Sequence, residues 1–252
     1  MFPPQKLVAL LLLPLAIPPA ATREEVLARV RTLRNSTDYT ASGRLVRVSP
    51  SGERKSFPIA FRAHAFPDGL RIFCEVTAPL PARVRLLLSV PSQGPATVRT
   101  GHSGDQAAKE IPAGSWGESL LGTDFTYEDL LENHLLWRHQ TLLPEERYGA
   151  RSCLVLRSEP GTGDQTQYTS VTTWLDREIY QAVKVEKVVK ASREVRVFTY
   201  FGLRQVKGVW SASQIECKVA TKPGSSLLII NRGTEKPHLD SAAFDPVLLT
   251  RP

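Results

Sequence analysis

The chain has 252 residues, 42% of them hydrophobic and 23% charged, with a formal net charge of +7. That balance belongs to a folded globular protein and excludes an intrinsically disordered one, while the length allows one long β-rich domain or two ordinary ones. The basic excess would suit an anionic surface. However, Lys and Arg are spread singly along the chain with no dense block and no nucleic-acid module, so a solvated face is expected and nucleic acid is not an expected partner.

Met1–Ala21 reads as a targeting segment: Lys6 makes a positive start, Leu7–Ile17 an apolar run, and Pro18-Pro19-Ala20-Ala21 a break followed by small residues. The run is short for a membrane span, and no cysteine follows it to carry a lipid anchor. Export and cleavage are therefore expected, leaving 31 basic and 25 acidic groups. Thr22 and Glu25 then make a capping box, and Val26, Leu27, Val30 and Leu33 recur on one helical face with Arg29, Arg31 and Arg34 turned away. The pattern predicts an amphipathic helix over Arg23–Asn35, lying on a sheet.

From Tyr39 to Val98 the period changes to two. Phe57, Ile59, Phe61, Ala63 and Ala65 share a face, as do Leu70, Ile72, Cys74 and Val76, and again Val84, Leu86, Leu88 and Val90. Turn residues punctuate these runs at Pro50-Ser51-Gly52, Pro67-Asp68-Gly69, Pro79 to Pro81 and Pro91 to Pro95, which predicts an antiparallel meander. Gly101–Gly114 reads as a polar loop. Ile111–Leu121, with Trp116, leads into Gly122-Thr123-Asp124-Phe125-Thr126-Tyr127-Glu128-Asp129-Leu130. There Thr126 is placed to cap a helix with Asp129 bonding back, Phe125 to staple onto Leu130, and Tyr127, Leu130 and Leu131 to share one side of a helix reaching about Asn133.

Strands are expected again at Leu135–Leu142, Ser152–Ser158, Gln167–Leu175, Gln181–Val189, Glu194–Leu203, Val209–Ala220 and Leu227–Ile230. Turn-like breaks fall at Asp176-Arg177-Glu178 and Lys207-Gly208. Both faces of the Glu194–Leu203 strand are partly apolar, so it is expected to be covered on both sides. His238–Pro252 reads as an ordered tail in which Phe244 and Leu248 dock. Ten or eleven strands with two helices fit two packed sheets or one strongly curved sheet.

Convergent catalytic groups are hard to find. His134 and His139 stand five apart, the wrong spacing for metal ligation from one helix, and no nucleophile elbow, zinc-protease motif or phosphate loop is present. Capping accounts for Asp124 and Asp129 more simply than an acid/base pair does. Neither an enzyme nor a bound metal or cofactor is expected. Cys74, Cys153 and Cys217 lie far apart in alternating apolar patterns, which allows one disulfide with a leftover thiol or three buried free thiols.

The nonapeptide Gly122–Leu130 resembles the signature of the outer-membrane lipoprotein-sorting proteins, a family similar to the periplasmic carriers LolA and LolB. Tyr168…Trp174-Leu175-Asp176, Val183-Lys184-Val185-Glu186, Gly208-Val209-Trp210 and Ala243-Phe244-Asp245 follow in the family's order. The resemblance implies a mainly β protein: a single strongly curved antiparallel sheet, or incomplete β-barrel, with helices closing its concave face, over residues 22–252 as one half-barrel domain. It also implies a periplasmic carrier of lipoprotein acyl chains or a similar lipid. Its partners would be an acylated lipoprotein, an inner-membrane release complex, an outer-membrane acceptor and, transiently, a membrane. Face assignment puts Ile72, Leu86, Leu88, Trp116, Phe125, Tyr127, Leu130 and Leu131 at the lipid, with the nonapeptide helix as a movable lid. The alternative function is a regulatory module of the same fold that senses envelope lipoproteins.

Overall fold

The computed structural model describes residues 21–79, 83–206, 209–231, 233–235 and 238–252. The expected targeting segment, the Lys207-Gly208 turn and part of the Pro79 to Pro81 turn lie outside the described residues. One α-helix, α1 (Arg23–Asn35), is followed by strands β1 (Asp38–Val48), β2 (Arg54–Phe66), β3 (Gly69–Val76), β4 (Arg85–Pro91), β5 (Thr97–Gly101) and β6 (Lys109–Glu110). After a long crossing come β7 (His139–Tyr148), β8 (Arg151–Glu159), β9 (Tyr168–Asp176), β10 (Ala182–Val189) and β11 (Val195–Phe201). Then follow β12 (Arg204–Val206), β13 (Val209–Ser211), β14 (Gln214–Val219), β15 (Ser225–Ile230) and β16 (Thr234–Glu235).

All but β12 and β13, which pair with each other, join one antiparallel sheet. Its order is β6-β5-β4-β3-β2-β1-β15-β14-β11-β10-β9-β8-β7, with β16 on β1. The pairing of β1 with β15, from Gly43↔Ile230 to Val48↔Ser225, sews the two halves together. Edge strands β6 and β7 are not paired with each other, so the sheet is not closed into a barrel. Gly224 makes one of the tight turns possible. Its φ is +87°, and a Cβ there would lie 2.3 Å from the Val48 carbonyl oxygen, so a side chain is excluded both by conformation and by space.

Alternation places one apolar row inward: Leu45 opposite Phe57, Ile59 opposite Val76, Cys74 opposite Leu86, and Leu88 opposite Val98. On the other half the row runs Val185, Phe198, Cys217. These side chains form the main core together with Trp116, Leu120, Phe125, Leu131 and Trp137 from the crossing segment. Each fully buried Leu or Phe contributes about 1.5–3 kcal/mol by leaving water.

Helix α1 begins as its sequence demands. Thr22 Oγ1 accepts from the Glu25 N–H at 3.2 Å and Glu25 accepts from the Thr22 N–H at 2.8 Å. Its buried Val26 and Val30 seat on Leu154 and Leu175 of β8 and β9. The C-terminal tail packs Phe244 and Leu249 on Phe73 and Leu87, the outward side chains of β3 and β4. Arg62 lies 3.9 Å from the Phe73 ring and 5.8 Å from that of Phe244, and donates to the Ala243 carbonyl at 2.6 Å.

Several expectations change on the structure. The nonapeptide opens no α-helix: it contains a single 3-10 turn, Glu128–Leu130, and a second turn, Asn133–Leu136, replaces the start of the strand expected from Leu135. At this place an irregular segment, not a helix, lies over the concave face, while α1 seats on Leu154 and Leu175, which share the inward alternation of Val171 and Val185. The strand expected at Val209–Ala220 is broken at Ala212-Ser213, and Phe201 of β11 is 43% exposed rather than covered. Finally, the Lys and Arg residues are not uniformly solvated, because Lys187 and Arg196 point into the core.

Candidate functional site

Between β6 and β7 the chain crosses the hollow of the sheet as a plug, residues 111–138. It is folded on itself. Trp116 Nε1 donates to the Ile111 carbonyl at 3.0 Å, the Leu120 N–H to the Phe125 carbonyl at 2.8 Å, and the Glu128 N–H to the Trp116 carbonyl at 3.2 Å. Leu121 and Gly122, with φ of 55° and 72°, reverse the chain between those two passes.

Three carboxylates then fasten the plug to the sheet. Asp124 accepts from Arg47 of β1 at 2.5 Å and from Ser226 of β15 at 2.8 Å, while its carbonyl accepts from Arg196 of β11. Glu128 accepts from the Thr166 hydroxyl and, at 2.8 Å, from the Gln167 N–H ahead of β9. Asp129 is the most heavily bonded. One oxygen accepts from the Tyr168 hydroxyl at 2.6 Å and Lys187 Nζ at 3.0 Å; the other accepts from Arg196 at 2.6 Å and from the N–H and hydroxyl of Thr126 at 2.8 and 2.9 Å.

Burial alone would raise the Asp129 carboxyl, but Lys187 and Arg196, together with the hydrogen bonds from Tyr168 and Thr126, hold the group below the usual carboxylate range. Burial does raise Glu128, against the hydrogen bonds from Thr166 and Gln167. His134, buried nearby, is held well below 6.5 by burial, with Lys187 and Arg34 adding to the effect. A buried ion pair adds little net stability, but removing one partner costs about 3–5 kcal/mol because the other charge stays buried. The stitches therefore specify where the plug sits more than they hold the fold together.

Beneath the plug lies a wholly apolar cavity of about 30 Å³, between Leu45, Ile59, Val76 and Leu86 of the sheet and Leu120, Phe125 and Leu130 of the plug. That is the size of about one water molecule, and with no polar lining it stays dry. A cavity for a sizeable ligand is roughly 300–1,000 Å³, ten times larger or more. A guest of that size and the plug therefore compete for the same space. A wider depression of about 550 Å³, lined by Ala21, Glu25, Arg29, Arg177 and Tyr180, opens to solvent elsewhere and has no part in this hollow.

All eight side chains singled out in the sequence lie in or against the main core. Leu86, Leu88, Trp116, Phe125 and Leu131 are buried in it, while Ile72, Tyr127 and Leu130 are partly buried at its border. Leu86, Phe125 and Leu130 line the cavity. Sequence reasoning missed Arg47, Lys187, Arg196 and Ser226. The available signal was phase, since Lys187 and Arg196 occupy the same inward alternation as Val185 and Phe198. Cys74, Cys153 and Cys217 are free thiols, and burial pushes Cys74 and Cys217 up to about 12. Among the described residues no group of His, Cys, Asp and Glu could hold a metal ion, and no helix is long and apolar enough to cross a membrane.

A family model described as "Uncharacterized protein" matches residues 106–251, which include the whole plug. A search of curated proteins finds no match. The fold recurs in a domain assigned to outer membrane lipoprotein sorting from Vibrio parahaemolyticus, with TM-score 0.80 and 19% identity over 89% of this chain and 97% of that one. It recurs in a DUF1329 family protein from Desulfovibrio piger, with TM-score 0.81 and 14% identity over 90% and 97%. A LolA superfamily protein from Nitrosomonas europaea shares it with TM-score 0.70 and 15% identity over 90% and 98%.

Proposed function

The chain belongs to the family whose model spans residues 106–251, and from the fold it has in common with lipoprotein-sorting and LolA-superfamily proteins we propose that it binds lipid acyl chains in the hollow of its sheet. In this reading residues 1–21 direct export and are removed, and residues 22–252 act in the periplasm as one half-barrel domain. The protein receives an acylated lipoprotein or similar lipid from an inner-membrane release complex and hands it to an outer-membrane acceptor, without covalent chemistry. Ile72, Leu86 and Leu88 of the sheet and Trp116, Phe125, Tyr127, Leu130 and Leu131 of the plug face the lipid.

The observation that carries this reading is the dry apolar cavity at the contact between plug and sheet. It is the closed remnant of a space that opens when the plug withdraws. Magnitudes make the exchange feasible. An acyl chain gains about 0.8 kcal/mol per buried methylene, so roughly 12 kcal/mol for a chain of fifteen. Withdrawing the plug forfeits about 1.5–3 kcal/mol for each large apolar side chain. The five plug side chains in the core come to roughly 7–15 kcal/mol, comparable with one acyl chain before the fastenings are counted. Loading therefore also requires that Lys187 and Arg196 find other partners when Asp129 withdraws. The same stitching of plug to sheet supports a second reading, a sensing module that keeps its interior filled and binds its partner from outside.

A crosslink separates the two. A Cβ built at Gly117 of the plug would lie 3.7 Å from Gln167 Cβ, the separation a disulfide needs. The oxidised Gly117→Cys/Gln167→Cys protein is expected to lose uptake of a fluorescent fatty acid that the wild-type protein takes up, and to regain it on reduction. Uptake that is unchanged by the lock, or absent from the wild-type protein, sinks the carrier reading.

A further inference from the structure

The basic residues that appear scattered in the sequence are gathered by the strand order. β2-β1, β15-β14 and β11-β10 are three hairpins on six consecutive strands of the sheet. Their turns, near Ser49–Glu53, Ala220–Gly224 and Lys190–Glu194, lie at the same end, as the pairings Val48↔Arg54, Val48↔Ser225, Arg196↔Val219 and Val188↔Val195 require. Six strands at about 4.8 Å spacing span roughly 24 Å. Within that width stand Arg54, Lys55, Lys190, Arg193, Lys218 and Lys222, all exposed.

Few anions answer them. Glu53 and Glu194 are the carboxylates of the turns, Glu194 accepts from the Thr221 hydroxyl, and Lys218 pairs with Glu216 of its own strand at 3.2 Å. Arg54, Lys190, Arg193 and Lys222 form no ion pair among the described residues. The remaining side chains of the turns are Ser, Thr, Ala, Pro and Gly, short enough to let long cationic side chains reach a flat surface first. Asp124 and Arg47, one of the plug's fastenings, lie beside the middle hairpin, where Arg47 also donates to the Pro223 carbonyl at 3.1 Å.

We propose that this hairpin end is a docking surface for an anionic phospholipid bilayer, which it meets through charge alone with the plug's fastening turned toward the lipid. Charge complementarity favours a bilayer because its surface is a flat array of negative headgroups as wide as the row of turns. The row also lacks the aromatic or aliphatic anchor on which a protein interface centres. The inference stands independently of what the hollow carries.

The test is co-sedimentation of the mature chain with phosphatidylglycerol/phosphatidylcholine vesicles and with phosphatidylcholine alone, at low and high salt. Binding is expected only to the anionic vesicles and is expected to fall with salt. Each basic residue near such a surface is worth about a fivefold change in partition, so Lys190→Gln/Arg193→Gln/Lys222→Gln should weaken it about a hundredfold. A control that removes the same charge from exposed sites away from this end, Arg31→Gln/Arg147→Gln/Arg204→Gln, should change it little. Equal losses from both triple variants, equal binding to uncharged vesicles, or indifference to salt would overturn the proposal. The oxidised Gly117→Cys/Gln167→Cys protein should bind vesicles as the wild type does, so failure of lipid uptake and failure of docking are read separately.

Discussion

Asp129 takes five hydrogen bonds from four side chains and one backbone N–H, and this saturation allows a carboxylate to sit almost wholly buried. The sequence revealed its link to Thr126, because both partners stand within one turn. Lys187 and Arg196 were not legible, since alternation identifies an inward face by its apolar members and a cation in that phase reads as solvated. The same cluster gives His134 a pH signature. The unfolded chain binds a proton at this ring below about pH 6.5, whereas the folded chain, holding it well below 6.5, does not. Stability is therefore full above pH 6.5 and falls as the pH drops below it, by at most about 1.4 kcal/mol per pH unit. Urea unfolding across that range should show the decline in the wild type, and His134→Gln should flatten it.

Elements were legible where one pattern ran long enough to decide. Helix α1 announces itself through its capping box, and the inward rows of β2, β3 and β4 follow the predicted phases residue for residue. The plug misled because its cap chemistry is real while its periodicity is not. Trp116, Leu120, Phe125 and Leu131 are spaced by four, five and six residues, and Glu132 stands in the left-handed region with φ of 45°, where an α-helix cannot continue. Such a segment holds its place through individual side chains. Leu131 is fully buried in the core, so Leu131→Ala should destabilise the protein by about 2–5 kcal/mol in urea unfolding. A loss below about 1 kcal/mol would mean that the plug contributes little to the folded state and is already loosely seated.

For the whole molecule, counting strands left two sheets and one sheet equally open; the resemblance favoured one, and the β1–β15 pairing realises it. The tail was legible as ordered, with Phe244 and Leu248 docked as expected and the neighbouring Leu249, not singled out, buried most deeply. Because it covers Phe73 and Leu87 on the outer face, a chain ending at residue 238 should expose both. A lower melting temperature and increased binding of a hydrophobic dye are expected; an unchanged melt would show the tail to be ornamental. The two margins of the sheet, β6 and β7, share no backbone hydrogen bond. No rung of the ladder therefore resists an uncurling of the sheet, which, like a cuff without its button, is restrained at that seam by the plug and the bonds it makes across the bore.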